Sequence, residues 1–391
     1  MQNPPLPALN RRSFLTQGGA GALALGLWGG QGVAHAAEPR PSGATAKWPR
    51  VYVKRFHVQS IWSDGRHNAF PGIARVGNYY YVAFRNAISH QSTDGTPKIF
   101  VIRSAADDLK KWEKVAEFAN PRDIRDPLVF ENNGKVQVVF HSKEDFYSQS
   151  ADGVTWSPVR DLETEIVQPP PGSDLVLTTT RRWLFRIRRG PDGAFYSLAR
   201  CGIPAPGNKA KFGLIMYRSE DGVKFKAMHT YGEGPSQVLT REEGGGHEAD
   251  IAWTKDGTFL AGIRNAKKDG VIAMGPSPLG PFRAIKTGTM SFGGPAFHVT
   301  QKGGVLVAGR HTTPEGHSYC RVSTVMPHGV SDSFLLPSAG DCAYQSFADG
   351  PAETILLAYY SSHEHPQQAA VGLSPANIYL AHLTVRYEQP K

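Results

Sequence analysis

Glu248, Arg264, Arg310 and Tyr344 follow one another along the second half of this chain, the first three beside short apolar runs. Arginine forks bind carboxylates through two parallel N–H donors, so two such arginines suit an acidic ligand. A tyrosine hydroxyl becomes a nucleophile only where a neighbouring carboxylate takes its proton, and Glu248 could do this for Tyr344. A protonated acid would complete the set for glycoside cleavage by donating to the leaving oxygen. Asp94, beside Gly95 on an early loop, is the candidate. Arg85 follows the run 79–84, and His67, His90 and Asp341 stand in further polar stretches; all four are candidate substrate-binding groups. Each residue also has a structural reading. Glu248 and Arg264 could be an ion pair within one hairpin, Tyr344 a packed strand residue and Asp94 a turn residue. Arg310 could cap backbone carbonyls, and single histidines are commonly structural hydrogen-bonding groups. Arg125 and Asp126, before Pro127, read as a local pair. His363-Glu-His365 comes without further ligands, so no metal is expected, and no cofactor motif occurs.

Strands must position these groups. Almost no helical period occurs after Val51. Short apolar runs recur instead at 79–84, 99–102, 128–130, 136–140, 195–198, 214–217, 251–253, 259–263, 305–308, 355–359 and 378–385. Asn133-Gly134, Asp192-Gly193 and Asp256-Gly257 separate some of them as turns. This pattern is all-β, and residues 51–391 are expected to form a single domain.

Three runs resemble one another: Ser150-Ala-Asp-Gly-Val-Thr-Trp156, Ser219-Glu-Asp-Gly-Val-Lys-Phe225 and a looser Ser104-Ala-Ala-Asp-Asp-Leu-Lys-Lys-Trp112. Asp and Gly close a tight turn, and the aromatic packs beneath it at the start of the next strand. The runs resemble the Asp-box, a hairpin turn of β-propellers in the sialidase superfamily. That resemblance implies a β-propeller with its site near the central axis, where the inner strands converge; at four strands per repeat of roughly 45–70 residues the chain would make a six-bladed β-propeller, with five or seven blades also compatible with the repeat length. It extends over nearly all of residues 60–385. The pieces that carry it are His67-Asn-Ala-Phe, Phe84-Arg85 with His90 and Asp94-Gly95, Glu248 with Arg264, Gly294-Pro295 with Arg310, and Gly340-Asp341 with Tyr344 and Tyr359-Tyr360-Ser361-Ser362-His363.

By that resemblance Tyr344 is the nucleophile, Glu248 its partner, Asp94 the acid/base, and Arg264 and Arg310 two arms of a carboxylate clamp. One feature departs from the family. Sialidases begin the clamp with an arginine in an Arg-Ile-Pro motif, and here His67-Asn-Ala-Phe-Pro71 has none. Arg85 or Arg186 could take its place. The implied activity is an exported exo-glycosidase acting on a terminal acidic sugar. A polysaccharide lyase on uronate-containing glycan is the alternative. There Arg264 would neutralise the carboxylate, His67 or His90 would take the C5 proton, and Tyr344 would protonate the leaving oxygen. A non-catalytic glycan-binding propeller is the third reading, because fold alone does not fix function. Convergence of the named residues on one axial pocket discriminates it from the enzymes.

The chain has 391 residues and a formal charge of +9. Asn10-Arg-Arg-Ser-Phe-Leu15, an apolar Gly/Ala-rich stretch and Ala34-His-Ala36 read as a twin-arginine export signal over residues 1–36. Residues 37–50 read as a flexible leader. The expected location is periplasmic or secreted, with no membrane attachment after cleavage. The first 36 residues hold two arginines and no acidic residue, leaving +7 on the remainder. A basic exported protein suits polyanionic or acidic partners such as acidic glycans. No basic stripe interleaved with aromatics points to nucleic acid. Three cysteines make neither a disulfide scaffold nor a zinc set; one Cys320–Cys342 bridge and two buried thiols are both compatible with the sequence.

Overall fold

Val, Ile, Phe and Tyr dominate the short runs, and they form antiparallel meanders in the computed structural model. It describes residues 48–92, 97–120, 122–142, 144–167, 182–203, 211–229, 233–238, 248–265, 269–365 and 372–388. Among these residues there is no α-helix, and no helix long and apolar enough to cross a membrane.

The strands fall into five sheets. One runs His67–Val76, Tyr79–Ala87, Lys98–Ala105, Glu113–Ala119, and the next Arg125–Asn132, Lys135–His141, Asp145–Ser150, Arg160–Asp161. A third holds Arg182–Arg189, Phe195–Ile203, Lys211–Ser219 and Lys224–Ala227, with Glu163–Thr164 added in parallel at its edge. A fourth, of seven strands, turns on the long strand Arg283–Val299. The first half of that strand pairs with Asp269–Gly275 and its second half with Val305–Thr312. The last sheet combines Cys342–Asp349, Thr354–Ser361 and Asn377–Glu388 with Arg50–Trp62, the first described strand.

The innermost strands touch in sequence: His67–Val76, Arg125–Asn132, Arg182–Arg189, Ala249–Trp253, Arg283–Val299 and Cys342–Asp349, which returns to His67–Val76. Between neighbouring sheets both faces of the strands are covered, so Tyr79–Ala87 reads as a nearly unbroken apolar run rather than an alternating one. Val82, Phe84, Ile102, Leu356 and Tyr360 fill one such layer. Val139, Leu184, Phe195 and Ile215 fill another.

The two good Ser-x-Asp-Gly runs are built alike. Ser150 Oγ donates to Asp152 and accepts from the Gly153 N–H, while Asp152 accepts from the N–H groups of Val154 and Thr155. Ser219, Asp221, Gly222, Val223 and Lys224 repeat each of these bonds. Each turn lies on the preceding sheet: Arg103 donates to Asp152 O, and Asn132 and Gln137 donate to Asp221 O and Gly222 O. The looser run at Ser104 differs, with its hydroxyl on Asp108 O.

The expected leader 37–50 ends earlier than the sequence suggests. Trp48 is buried and its indole donates to Val325 O, and Arg50 already opens a strand. Cys320 and Cys342 are buried free thiols.

Candidate active site

The innermost strands share a backbone irregularity that aims side chains at the axis. Each of four skips register beside its partner strand: between Ala69 and Gly72, Arg125 and Leu128, Phe185 and Arg188, and Ala343 and Ser346. One residue in each bulge has left-handed backbone: Phe70 (φ 60°), Asp126 (49°), Arg186 (42°) and Tyr344 (52°). Arg283–Val299 has the same kind of break between Ser291 and Ala296. Non-glycine residues avoid this region, so its recurrence in equivalent places marks backbone strain held by the surrounding sheets.

These bulges surround a cavity of about 540 Å³, large enough for a sugar ring. Its wall includes Phe70, His90, Arg125, Asp126, Trp183, Phe185, Glu248, Arg264, Arg310, Asp341 and Tyr344. At its centre the Tyr344 hydroxyl donates to Glu248 Oε1 at 2.9 Å. The same oxygen accepts from the Arg264 guanidinium, and Oε2 accepts from the Gly294 N–H at 2.6 Å. Burial alone would push the Glu248 carboxyl up, but Arg264, Arg310, the Gly294 N–H and the Tyr344 hydroxyl hold it below its ordinary value. Burial, with Asp126 and Glu248 beside it, pushes the Tyr344 phenol well above its ordinary value. The pair therefore rests as phenol and carboxylate, with a proton path between them.

The Arg310 guanidinium makes no hydrogen bond to any described residue, and its Nε is buried. Arg264 Nε is likewise buried without a partner. A ligand carboxylate in this cavity would meet donors that the protein leaves unused. Gly293 makes the room, since a Cβ there would lie 3.1 Å from Arg310 Nε and Nη2.

Sequence reasoning read Asp126 as half of a local pair with Arg125, not as a site residue. It is 4% exposed, and its Oδ1 has no hydrogen-bond partner. Burial raises its pKa to about 6 against the opposing pull of Arg125. Arg125 is the local partner the sequence suggested only in part, because its side-chain ion pair is with Asp123.

Asp341, like Glu248, accepts three hydrogen bonds through its side chain. Its Oδ2 accepts from His67 Nε2 at 2.8 Å and His90 Nδ1 at 2.6 Å, and its Oδ1 accepts from the Tyr360 hydroxyl at 2.9 Å. Burial alone would raise it, but the two histidines hold it well below the ordinary carboxylate range. The His67, His90 and Asp341 donor atoms lie within 4.8 Å of one another. One divalent ion could bridge that spacing, but hydrogen bonds occupy it here.

Four of the residues singled out from sequence as catalytic or clamp groups, Glu248, Arg264, Arg310 and Tyr344, line this one cavity, as do His90 and Asp341. Asp94 lies outside the described residues. His67 and Arg85, expected at the substrate, do not line the cavity. His67 is fully buried behind Asp341. Arg85, also fully buried, donates to Asp123 Oδ1, Ile124 O and Ser89 O, and so braces the loop that carries His90. A buried guanidinium needs such partners, and all three of its nitrogens are bonded to protein oxygens.

No family model matches the chain, and no curated protein does either. Solved structures do match. A protein of unknown function from Dyadobacter fermentans superposes with a TM-score of 0.68 at 16% identity, covering 86% of this chain and 99% of the other. Trypanosoma rangeli sialidase superposes with a TM-score of 0.54 at 10% identity, covering 81% of this chain and 55% of the sialidase. The fold is a sialidase-like β-propeller. The same sialidase as a covalent intermediate with 2,3-difluorosialic acid gives a TM-score of 0.52 at 12% identity. The propeller spans about half the length of these sialidase chains.

Proposed function

We propose that this protein is an exported exo-glycosidase that removes a terminal sugar carrying a carboxylate. The hydrogen bond from Tyr344 to an ionised Glu248, beside the unused guanidinium of Arg310, is the observation that carries this reading. Tyr344 Oη attacks the anomeric carbon while Glu248 takes its proton, and Arg264 and Arg310 bind the carboxylate. The convergence of these four side chains supports an enzyme over a binding platform. Incubating the mature protein with terminal sialosides and uronosides, and measuring free monosaccharide, tests the reading. No release from either class would sink it.

The propeller is read as six-bladed, with the Ser-x-Asp-Gly turns as its Asp-boxes. The seven-stranded sheet then counts as two blades joined through Arg283–Val299. Export follows the twin-arginine route, with the first 36 residues removed. Arg11→Lys together with Arg12→Lys should retain precursor in the cytoplasm, and normal export of that variant would point to another route.

One observation favours the lyase as a second reading. His90 stands in the same cavity as Tyr344 with a carboxylate behind it, a base that could take a C5 proton. A lyase would leave an unsaturated product absorbing in the ultraviolet. Hydrolysis leaves none.

A further inference from the structure

We propose that His90, oriented by Asp341, is the acid/base of this site, in place of Asp94. The inference rests on the glycosidase reading above.

His90 is fixed from several sides. Its Nδ1 donates to Asp341 Oδ2, its backbone N–H donates to Gly372 O at 2.9 Å, and its carbonyl accepts from Arg125 at 3.4 Å. The Phe70 ring meets its imidazole edge-on at 5.1 Å between centroids. At Gly372 (φ 83°) a Cβ would stand 2.5 Å from His90 Cβ and 3.5 Å from Asp341 Oδ2, so bare backbone is what lets the loops close on this pair. The side chain is 27% exposed, lines the cavity, and makes no hydrogen bond through Nε2 to any described residue. One nitrogen is thus held by a carboxylate while the other faces the substrate space.

Asp341 acts through His90 and is a positioning residue. His67 and Tyr360 also donate to it, one on each carboxylate oxygen, and hold it in place behind His90. A carboxylate behind an imidazole fixes its tautomer and stabilises the imidazolium. His67 suits the second layer, because burial lowers its pKa and favours a neutral ring that donates from Nε2. The Phe70 ring, 4.8 Å from Tyr344 between centroids, separates the two working arms.

The chemistry balances. In the first step Tyr344 Oη bonds to the anomeric carbon and its proton passes to Glu248. The glycosidic C–O bond breaks, its electron pair goes to the leaving oxygen, and His90 Nε2–H protonates that oxygen. In the second step neutral His90 takes a proton from water, whose oxygen bonds to the anomeric carbon. The Tyr344–carbon bond breaks, and the phenolic oxygen recovers its proton from Glu248. One water is consumed, and the sugar and its former partner are released.

Leaving-group dependence tests this. Probes are 4-nitrophenyl glycosides of N-acetylneuraminic and glucuronic acid, and the same sugars linked to lactose. A good leaving group needs no proton, whereas a sugar does. His90→Asn should lose about 100-fold or more on the lactose-linked probe and under about 10-fold on the nitrophenyl one. Azide should restore its second step and yield a glycosyl azide. His90→Gln is the substitute should the asparagine variant not fold, and Asp341→Asn should show a weaker form of the same split. Equal losses on both probes, or the split appearing in Asp94→Asn instead, would overturn the proposal while leaving the hydrolase reading standing. Loss of activity on chelation, restored by added zinc, would make the cluster a metal centre and also overturn it. A wild-type protein inactive on every probe would remove the hydrolase reading itself, and this inference with it.

Discussion

Asp126 is a buried carboxyl whose Oδ1 has no hydrogen-bond partner. Its pKa of about 6 lies above the ordinary 3.8, so the folded state binds its proton more tightly than the unfolded chain does. The stabilising contribution is full below pH 3.8 and is lost as pH rises through about 6. The shift corresponds to about 3 kcal/mol, an order-of-magnitude figure. Asp126→Asn removes the ionisation, so its stability relative to wild type should climb between about pH 4 and pH 7. Urea midpoints at both ends of that window measure this. A pH-independent difference would mean that the carboxyl is solvated or paired in solution. Arg264 makes a different prediction. A charge-assisted hydrogen bond contributes roughly 1.5–3 kcal/mol. Arg264→Ala should therefore weaken a carboxylate substrate by about one to two orders of magnitude and its neutral analogue far less. The difference between the two losses is the coupling. Coupling near zero would leave neutral sugars as suitable as acidic ones.

At the scale of the element, the bulged inner strand decides where chemistry can occur. Gly294 (φ 57°) leans on the bulge of its neighbour, and a Cβ there would lie 2.7 Å from both Tyr344 Cα and N. Those atoms are backbone and cannot swing aside. Gly294→Ala should cost about 1–3 kcal/mol of stability and most of the activity, because it displaces Tyr344 from Glu248. Gly293→Ala presses only on the Arg310 guanidinium and should weaken substrate binding with little loss of stability. Thermal unfolding together with kcat and KM separates the two, and equal stability losses would contradict this division. Much of the architecture was legible in the sequence. The Asn133-Gly134 hairpin and the paired Ser-x-Asp-Gly turns declare themselves through local chemistry, and the apolar runs such as 259–263 coincide with strands. Glu248, Arg264, Arg310 and Tyr344 were readable from order and type. The bulges at Asp126 and Phe70 were not. A bulge is a mismatch between two strands, and no residue pattern within one strand announces it. Arg85 misled for a related reason: an arginine at a strand end looks the same whether it faces a ligand or braces a loop.

On the scale of the whole molecule, the first and last described strands are joined in one sheet. Arg50–Trp62 pairs with Asn377–Glu388, covering an edge that would otherwise offer open N–H and C=O groups to another molecule. Val51, fully buried beside Tyr379, Ala381 and Leu383, adds apolar packing to that closure. Deleting residues 50–62 should expose the Asn377–Glu388 edge and drive self-association, readable as a shift to high mass in size-exclusion chromatography. A monomer of unchanged melting temperature would show that the strand is dispensable. The formal charge of +9 has the sign of the cavity's Arg125, Arg264 and Arg310, and the two would together favour an anionic ligand.

The most direct test of the central proposal, that Tyr344 carries the sugar between two displacements, is proton NMR during turnover. Wild type and Tyr344→Phe are mixed with sialic- or uronic-acid-terminated oligosaccharides, and the anomeric signal of the first free sugar is followed. The expected result is release by wild type with the anomeric configuration retained, and release at least about a thousandfold slower by Tyr344→Phe. Inverted product, an unsaturated product, or wild-type rates from Tyr344→Phe would contradict it.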